Sequence, residues 1–78
     1  PVPAAWVEYQ GKPLKIWRAE VVSKQGKVGE VLSCTSDGLL VACGENALNI
    51  TELQPSGSKR MSIQAFAAGR TIEVGAVL

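Results

Sequence analysis

Short runs rich in Val, Ile, Leu and Trp alternate along this chain with clusters of turn residues: Gln10-Gly11, Gln25-Gly26, Ser36-Asp37-Gly38, Cys43-Gly44-Glu45-Asn46 and Pro55-Ser56-Gly57-Ser58. That spacing predicts strands of a small barrel or sandwich. A first strand is expected over residues 5–9, turning at Gly11 into a longer one over residues 14–22. The longer strand does not alternate cleanly. Leu14, Ile16 and Val22 share a phase with Arg18 and Glu20, while Trp17, Ala19 and Val21 share the other with Lys15. Apolar residues on both faces mean burial on both sides or a strand that coils from one sheet into another. In so short a chain the second is expected, hence a closed or half-closed barrel. Residues 28–35 and 39–43 read as a hairpin about Asp37-Gly38, which pairs Ser36 with Leu39 and Cys34 with Val41. Residues 47–53 form a further strand. Its apolar phase, Leu48, Ile50, then Leu53, slips by one residue, and a β-bulge near Thr51-Glu52 accounts for the slip.

The period changes once, near residues 62–68, where one short helix is predicted. The Ser62 hydroxyl suits the N-cap. Met61 before it and Phe66 at the fourth helical position match a hydrophobic staple. Ala65 at the third position leaves no capping box. Ile63, Phe66 and Ala67 make one apolar face. Gly69 is expected to end the helix in the left-handed conformation, placing Arg70 near the negative end of the helix dipole. A last short strand over residues 71–74, extending toward residue 78, would close the sheet.

Composition narrows the chemistry. A chain of 78 residues with 46% hydrophobic and 19% charged residues is one small globular domain. It has no His, so the commonest general base and metal ligand are missing. With Cys34 and Cys43 as the only thiols, neither a four-ligand Cys/His zinc site nor a His-based nucleophile triad is available. The carboxylates are scattered, none paired in an apolar setting that tunes its pKa. No catalytic residue and no metal site are therefore expected in this chain. No apolar run approaches the roughly 18 residues of a membrane span. Pro1-Val2-Pro3-Ala4-Ala5 lacks the parts of a signal peptide, and residues 1–4 read as the end of an extended linker. In the predicted hairpin Cys34 and Cys43 are diagonal neighbours, about 7–8 Å apart. A disulfide needs β-carbons about 3.5–4.5 Å apart, so reduced, buried cysteines of a cytosolic protein are expected.

The net charge of +1 hides an uneven distribution. Lys12, Lys15 and Arg18 lie between Glu8 and Glu20, and Lys24 and Lys27 lie before Glu30. Lys59, Arg60 and Arg70 lie between Glu52 and Glu73. The segment 30–52 carries four acids and no base. One basic face is a natural consequence, although solvated charge at strand and loop edges is the default expectation. The aromatic residues are Trp6, Tyr9, Trp17 and Phe66. Phe66 is assigned to the core. Trp17, beside Lys15 and Arg18, suits a surface on which bases stack, but packing against the barrel is the stronger expectation in a protein this small. Gly57-Ser58-Lys59-Arg60 is a loop that can hold phosphate through its cations and backbone N–H groups, or one merely kept soluble by charge. Its glycine spacing is not that of a P-loop.

The run Lys12-Pro13-Leu14-Lys15-Ile16-Trp17-Arg18-Ala19, the segment Val41-Ala42-Cys43-Gly44, and the stretch from Ala47-Leu48 through Leu53-Gln54-Pro55-Ser56-Gly57-Ser58-Lys59-Arg60-Met61-Ser62 together resemble the C-terminal domain of the methionyl-tRNA formyltransferase family. The resemblance covers nearly the whole chain. Its most specific part is the Leu-Gln-Pro-x-Gly segment followed by cations and Met before a helix. It implies a mainly β fold, a small OB-like Greek-key barrel of five to six strands with one short helix. It implies that residues 1–78 follow an N-terminal Rossmann-type catalytic domain, absent from this chain, that formylates the amino group of initiator methionyl-tRNA from 10-formyltetrahydrofolate. By the same resemblance the barrel holds the tRNA on a basic face and supplies neither catalytic residue nor cofactor site. Lys15 and Arg18 match basic positions on the long strand, Lys59 a loop cation, and Arg70 the arginine after the helix. Arg60, at a more variable position, offsets Ser58, which stands where the family often has Lys. Asn46 replaces a second loop glycine and tolerates positive φ. The expected partners are initiator methionyl-tRNA and the protein's own catalytic domain, with no membrane and no metal, in a cytoplasmic monomer. The rival readings are a structural barrel of a related formyltransferase or hydrolase that does not bind tRNA, and an unrelated OB-like interaction domain. Under the first reading Lys15, Arg18, Lys59 and Arg70 share one face.

Overall fold

The computed structural model describes residues 5–70 and 72–78. Its strands are β1 (Ala5–Tyr9), β2 (Lys12–Val22), β3 (Val31–Thr35), β4 (Gly38–Ala42), β5 (Ala47–Pro55) and β6 (Met61–Ser62), and one helix follows, α1 (Ile63–Gly69). The sheet order is β1-β2-β5-β4-β3, every pairing antiparallel, with β6 on the end of β5. Strands β3, β4 and β5 are joined by successive hairpins and β2 returns beside β5, which is a Greek key. The sheet curls into a half-barrel around Leu14, Ile16, Val31, Leu39, Ile50 and Leu53. Helix α1 closes it, packing against β5, β3 and β4 and burying Ile63 and Phe66.

The mixed pattern of the long strand is resolved by a pair of bulges. Ile16 pairs with Leu53, Arg18 with Glu52 and Ala19 with Ile50. Trp17 on β2 and Thr51 on β5 are thus left without partners, which places a bulge where the slip in β5 predicts one and a second opposite it. Leu14 and Ile16 point inward before the bulge and Ala19 packs on the core after it. Trp17 and Arg18, though successive, are both exposed.

The β1–β2 turn has positive φ at both central residues, 53° at Gln10 and 76° at Gly11, the pattern of a type I′ hairpin. A glutamine is poorly suited to that conformation, and asparagine tolerates it. Gln10→Asn is expected to stabilise the domain by roughly 0.5–1 kcal/mol, read as a rise of a few degrees in the thermal midpoint; a lowered midpoint would contradict this account of the turn.

Four expectations are corrected. In the β3–β4 hairpin Thr35 pairs with Gly38 and Cys34 with Leu39, so the turn is Ser36-Asp37. Gly38 lies inside the strand because a β-carbon there would collide with the Asn49 side chain. Its glycine serves a close approach rather than a positive φ. Cys43 consequently falls beyond β4 and is exposed, while Cys34 is half-buried and burial raises its thiol pKa; both are free. At the helix end Gly69 remains helical and Arg70 departs in extended conformation, φ −144° and ψ 148°, so no left-handed glycine is used. The N-terminal cap is as expected, the Ala65 N–H donating to Ser62 Oγ at 3.2 Å, with Phe66 in the core and Met61 partly buried against it. Finally, residues 72–75 form no strand, and Gly75 turns the chain at φ 92°. Residues 75–78 instead run along the start of β3 and the two residues before it. Val31 N donates to Ala76 O, Gly75 N to Val31 O and Leu78 N to Gly29 O, each at 2.8 Å. The expected linker end, residues 1–4, and Thr71 lie outside the described residues.

Candidate nucleic-acid interface

The outer face of β2 and β5 gathers the side chains that carry charge. Alternation turns Leu14, Ile16 and Leu53 inward, so Lys15 and Gln54, which face one another across the pair, point out. Trp17 continues that alternation, and the bulge adds Arg18 to the same surface. Strand β6 then pairs with β5 at Glu52↔Ser62 and Leu53↔Met61, which brings Arg60, just before β6, back beside Glu52.

Trp17 is the centre of this surface. It is 37% exposed, contrary to the expectation that it packs inside. The indole N–H donates to Gln54 Oε1 at 2.9 Å, and Gln54 Nε2 donates to Ser58 O at 2.9 Å, so one amide ties the ring to the 55–58 loop. The Lys15 ammonium lies 4.3 Å and the Arg60 guanidinium carbon 4.8 Å from the ring centroid, both within cation–π range. Arg60 Nε donates to Glu52 Oε2 at 3.1 Å, Arg60 Nη2 lies 3.0 Å from the same oxygen, and Arg18 Nε lies 3.2 Å from Glu52 Oε1. Such exposed pairs add little to stability; what they do is fix where the two guanidinium groups sit. Three cations stand here against one carboxylate.

Of the expected site residues, Lys15, Arg18 and Arg60 come together. Lys59 is exposed on the adjoining loop. Arg70 belongs to a second group: its guanidinium lies 4.8 Å from the Phe66 ring centre and its Nη1 is 4.0 Å from Met61 Sδ. With Lys12, Tyr9 and Ser58 it lines a cleft whose far wall is Pro13 and Pro55-Ser56. The same prolines border a shallow depression beside Lys15 and Gln54. The two cationic groups therefore flank one ridge.

Sequence reasoning missed Lys12, Gln54 and Glu52. Gln54 is found only through its register with Lys15. Along the sequence Glu52 belongs to an acidic middle separate from the basic windows, whereas in the fold it sits between two arginines. Among the described residues no three His, Cys, Asp or Glu side chains are grouped to hold a metal ion, and no helix is long and apolar enough to cross a membrane.

Comparison with known proteins places the chain in a family. The model of the formyl transferase C-terminal domain matches residues 1–71. Over all 78 residues the chain is 83% identical to a methionyl-tRNA formyltransferase of Neisseria meningitidis serogroup C, covering 25% of that protein. It is 76% identical over 78 residues to that of Neisseria gonorrhoeae, again with 25% covered. Against that of Caldanaerobacter subterraneus subsp. tengcongensis it is 46% identical over 80 aligned positions, with 26% covered. The chain thus spans about a quarter of the length of these relatives.

Proposed function

The chain belongs to the formyl transferase C-terminal domain family, and from that membership we propose that it is the tRNA-holding module of a methionyl-tRNA formyltransferase. In this reading residues 1–78 form the barrel behind an N-terminal catalytic domain, with residues 1–4 as the end of the linker. The catalytic domain transfers the formyl group of 10-formyltetrahydrofolate to the amino nitrogen of initiator methionyl-tRNA, in the cytoplasm and as a monomer. The barrel binds no cofactor and contributes no reacting group. Its part is to hold the body of the tRNA so that the aminoacyl end is presented, since phosphate contacts position a nucleic acid without reading its bases and a positioned reactant loses a large entropic barrier.

The observation that carries this reading is the convergence of Lys15, Arg18 and Arg60 around an exposed tryptophan, with Lys12 and Arg70 across the ridge. Lys59 extends the same loop toward solvent. The test is a titration of the 78-residue chain with tRNA at 50 and 200 mM salt. Each phosphate neutralised contributes about −0.9 to the slope of log K against log salt, so three contacts weaken binding roughly 40-fold between those concentrations. No binding at low salt, or binding indifferent to salt, would overturn the proposal. Initiator and elongator tRNAs are expected to bind alike.

A further inference from the structure

We infer that Trp6 and Trp17 form a stacking platform for unpaired bases, so that the partner RNA is held at a single-stranded or unstacked segment and not by its phosphates alone. The inference rests on the RNA-binding reading above and adds the chemistry of the contact.

The chain has four aromatic residues. Phe66 is in the core, and the partly buried Tyr9 meets it edge to face at 5.7 Å. The two tryptophans, its largest apolar side chains, are on the surface, Trp6 65% and Trp17 37% exposed. They share one face: Trp6 pairs directly with Lys15 across β1 and β2, and Trp17 follows Lys15 by two residues on the same strand. The order across the surface is therefore Trp6, Lys15, Trp17, Arg60. The Trp17 ring is already oriented by its bond to Gln54, so little side-chain freedom remains to be lost when a base settles on it. Lys15 has no carboxylate partner among the described residues. A base that takes its place over the ring leaves the ammonium free to reach the adjoining phosphate. Arg60 is held by Glu52 and remains beside the ring. Aromatic rings interleaved with cations suit single-stranded nucleic acid, because every base offers a π face and every linkage a negative charge. The excess of cations over carboxylates around the rings favours this polyanion over a protein surface.

The test uses the 78-residue chain with three probes: an eight-nucleotide single-stranded RNA, a duplex RNA of matched charge, and inorganic polyphosphate. Single-stranded RNA is expected to quench tryptophan fluorescence, whereas duplex and polyphosphate bind with little quenching. Trp17→Leu and Trp6→Leu, each leaving one tryptophan as reporter, are expected to weaken single-strand binding roughly tenfold with an unchanged salt slope and unchanged far-UV circular dichroism. Trp17→Phe is expected to restore most of the affinity. The platform is overturned if the leucine variants bind single strands within twofold of the parent, or if polyphosphate quenches as strongly as RNA; the phosphate-holding function then still stands, provided binding falls with salt. Failure of every RNA to bind at low salt would remove both, leaving the tryptophans to a protein partner.

Discussion

Phe66→Ala is expected to lower the stability of the domain by about 3–5 kcal/mol, the usual loss for truncating a large buried aromatic. Phe66 is fully buried and is the point where the helix meets the half-barrel, with the Tyr9 ring at 5.7 Å on one side and the Arg70 guanidinium at 4.8 Å on another. Domains gain roughly 0.05–0.15 kcal/mol per residue, so a chain of 78 residues has about 4–12 kcal/mol in total. The truncation removes a large share of that. In urea the midpoint should fall steeply with little change in the slope of free energy against denaturant. Val74→Ser, on an exposed position, should stay within about 0.5 kcal/mol of the parent. A Phe66→Ala midpoint as close as that to the parent's would mean the helix is not what closes the core. The variant also withdraws the ring beneath Arg70, so the cleft shared with Lys12 loses its shape in whatever fraction stays folded.

Much of this architecture was legible where local chemistry decides it. The Met61-Ser62-Phe66 spacing marks the helix because cap and staple are satisfied within six residues. The phase slip between Ile50 and Leu53 marks the bulge because only one face of β5 is buried. What was not legible depends on contacts far along the chain. Gly38 reads as a turn residue until Asn49 is seen lying against it. The course of residues 75–78 along the start of β3 depends on where Gly75 turns the chain. Trp17 reads as core because large side chains belong inside a small protein. It is outside because Leu14, Ile16, Leu53 and Phe66 fill the interior and because it alternates with inward-facing Ile16 in the same phase as Lys15. The candidate site was half legible for the same reason. Lys15 and Arg18 are near in sequence, but Arg60 joins them only through the pairing of β6 with β5. The same pairing places Glu52 between the arginines, and Arg70, across the ridge, is separated from them by the prolines.

Glu52 therefore gives the sharpest test of how the cationic surface works. Lys15→Ala combined with Arg60→Ala removes both cations over the Trp17 ring. It is expected to weaken tRNA binding about 100-fold at low salt, roughly tenfold for each charge, and to lower the salt slope by about 2. Both side chains lie outside the core, so the thermal midpoint should hardly move. Glu52→Gln is expected to act in the opposite direction. It keeps a group able to accept from a guanidinium but removes the charge that offsets Arg18 and Arg60, so affinity for tRNA should rise several-fold and the dependence on salt should steepen. Polyphosphate should gain at least as much as tRNA, because what the carboxylate withholds is attraction to any anion. The opposed signs separate this mechanism from a general disturbance of the sheet, which would weaken binding in both variants. If Glu52→Gln weakened binding with an unchanged thermal midpoint, this account would be overturned and the carboxylate would be acting chiefly to aim the arginines.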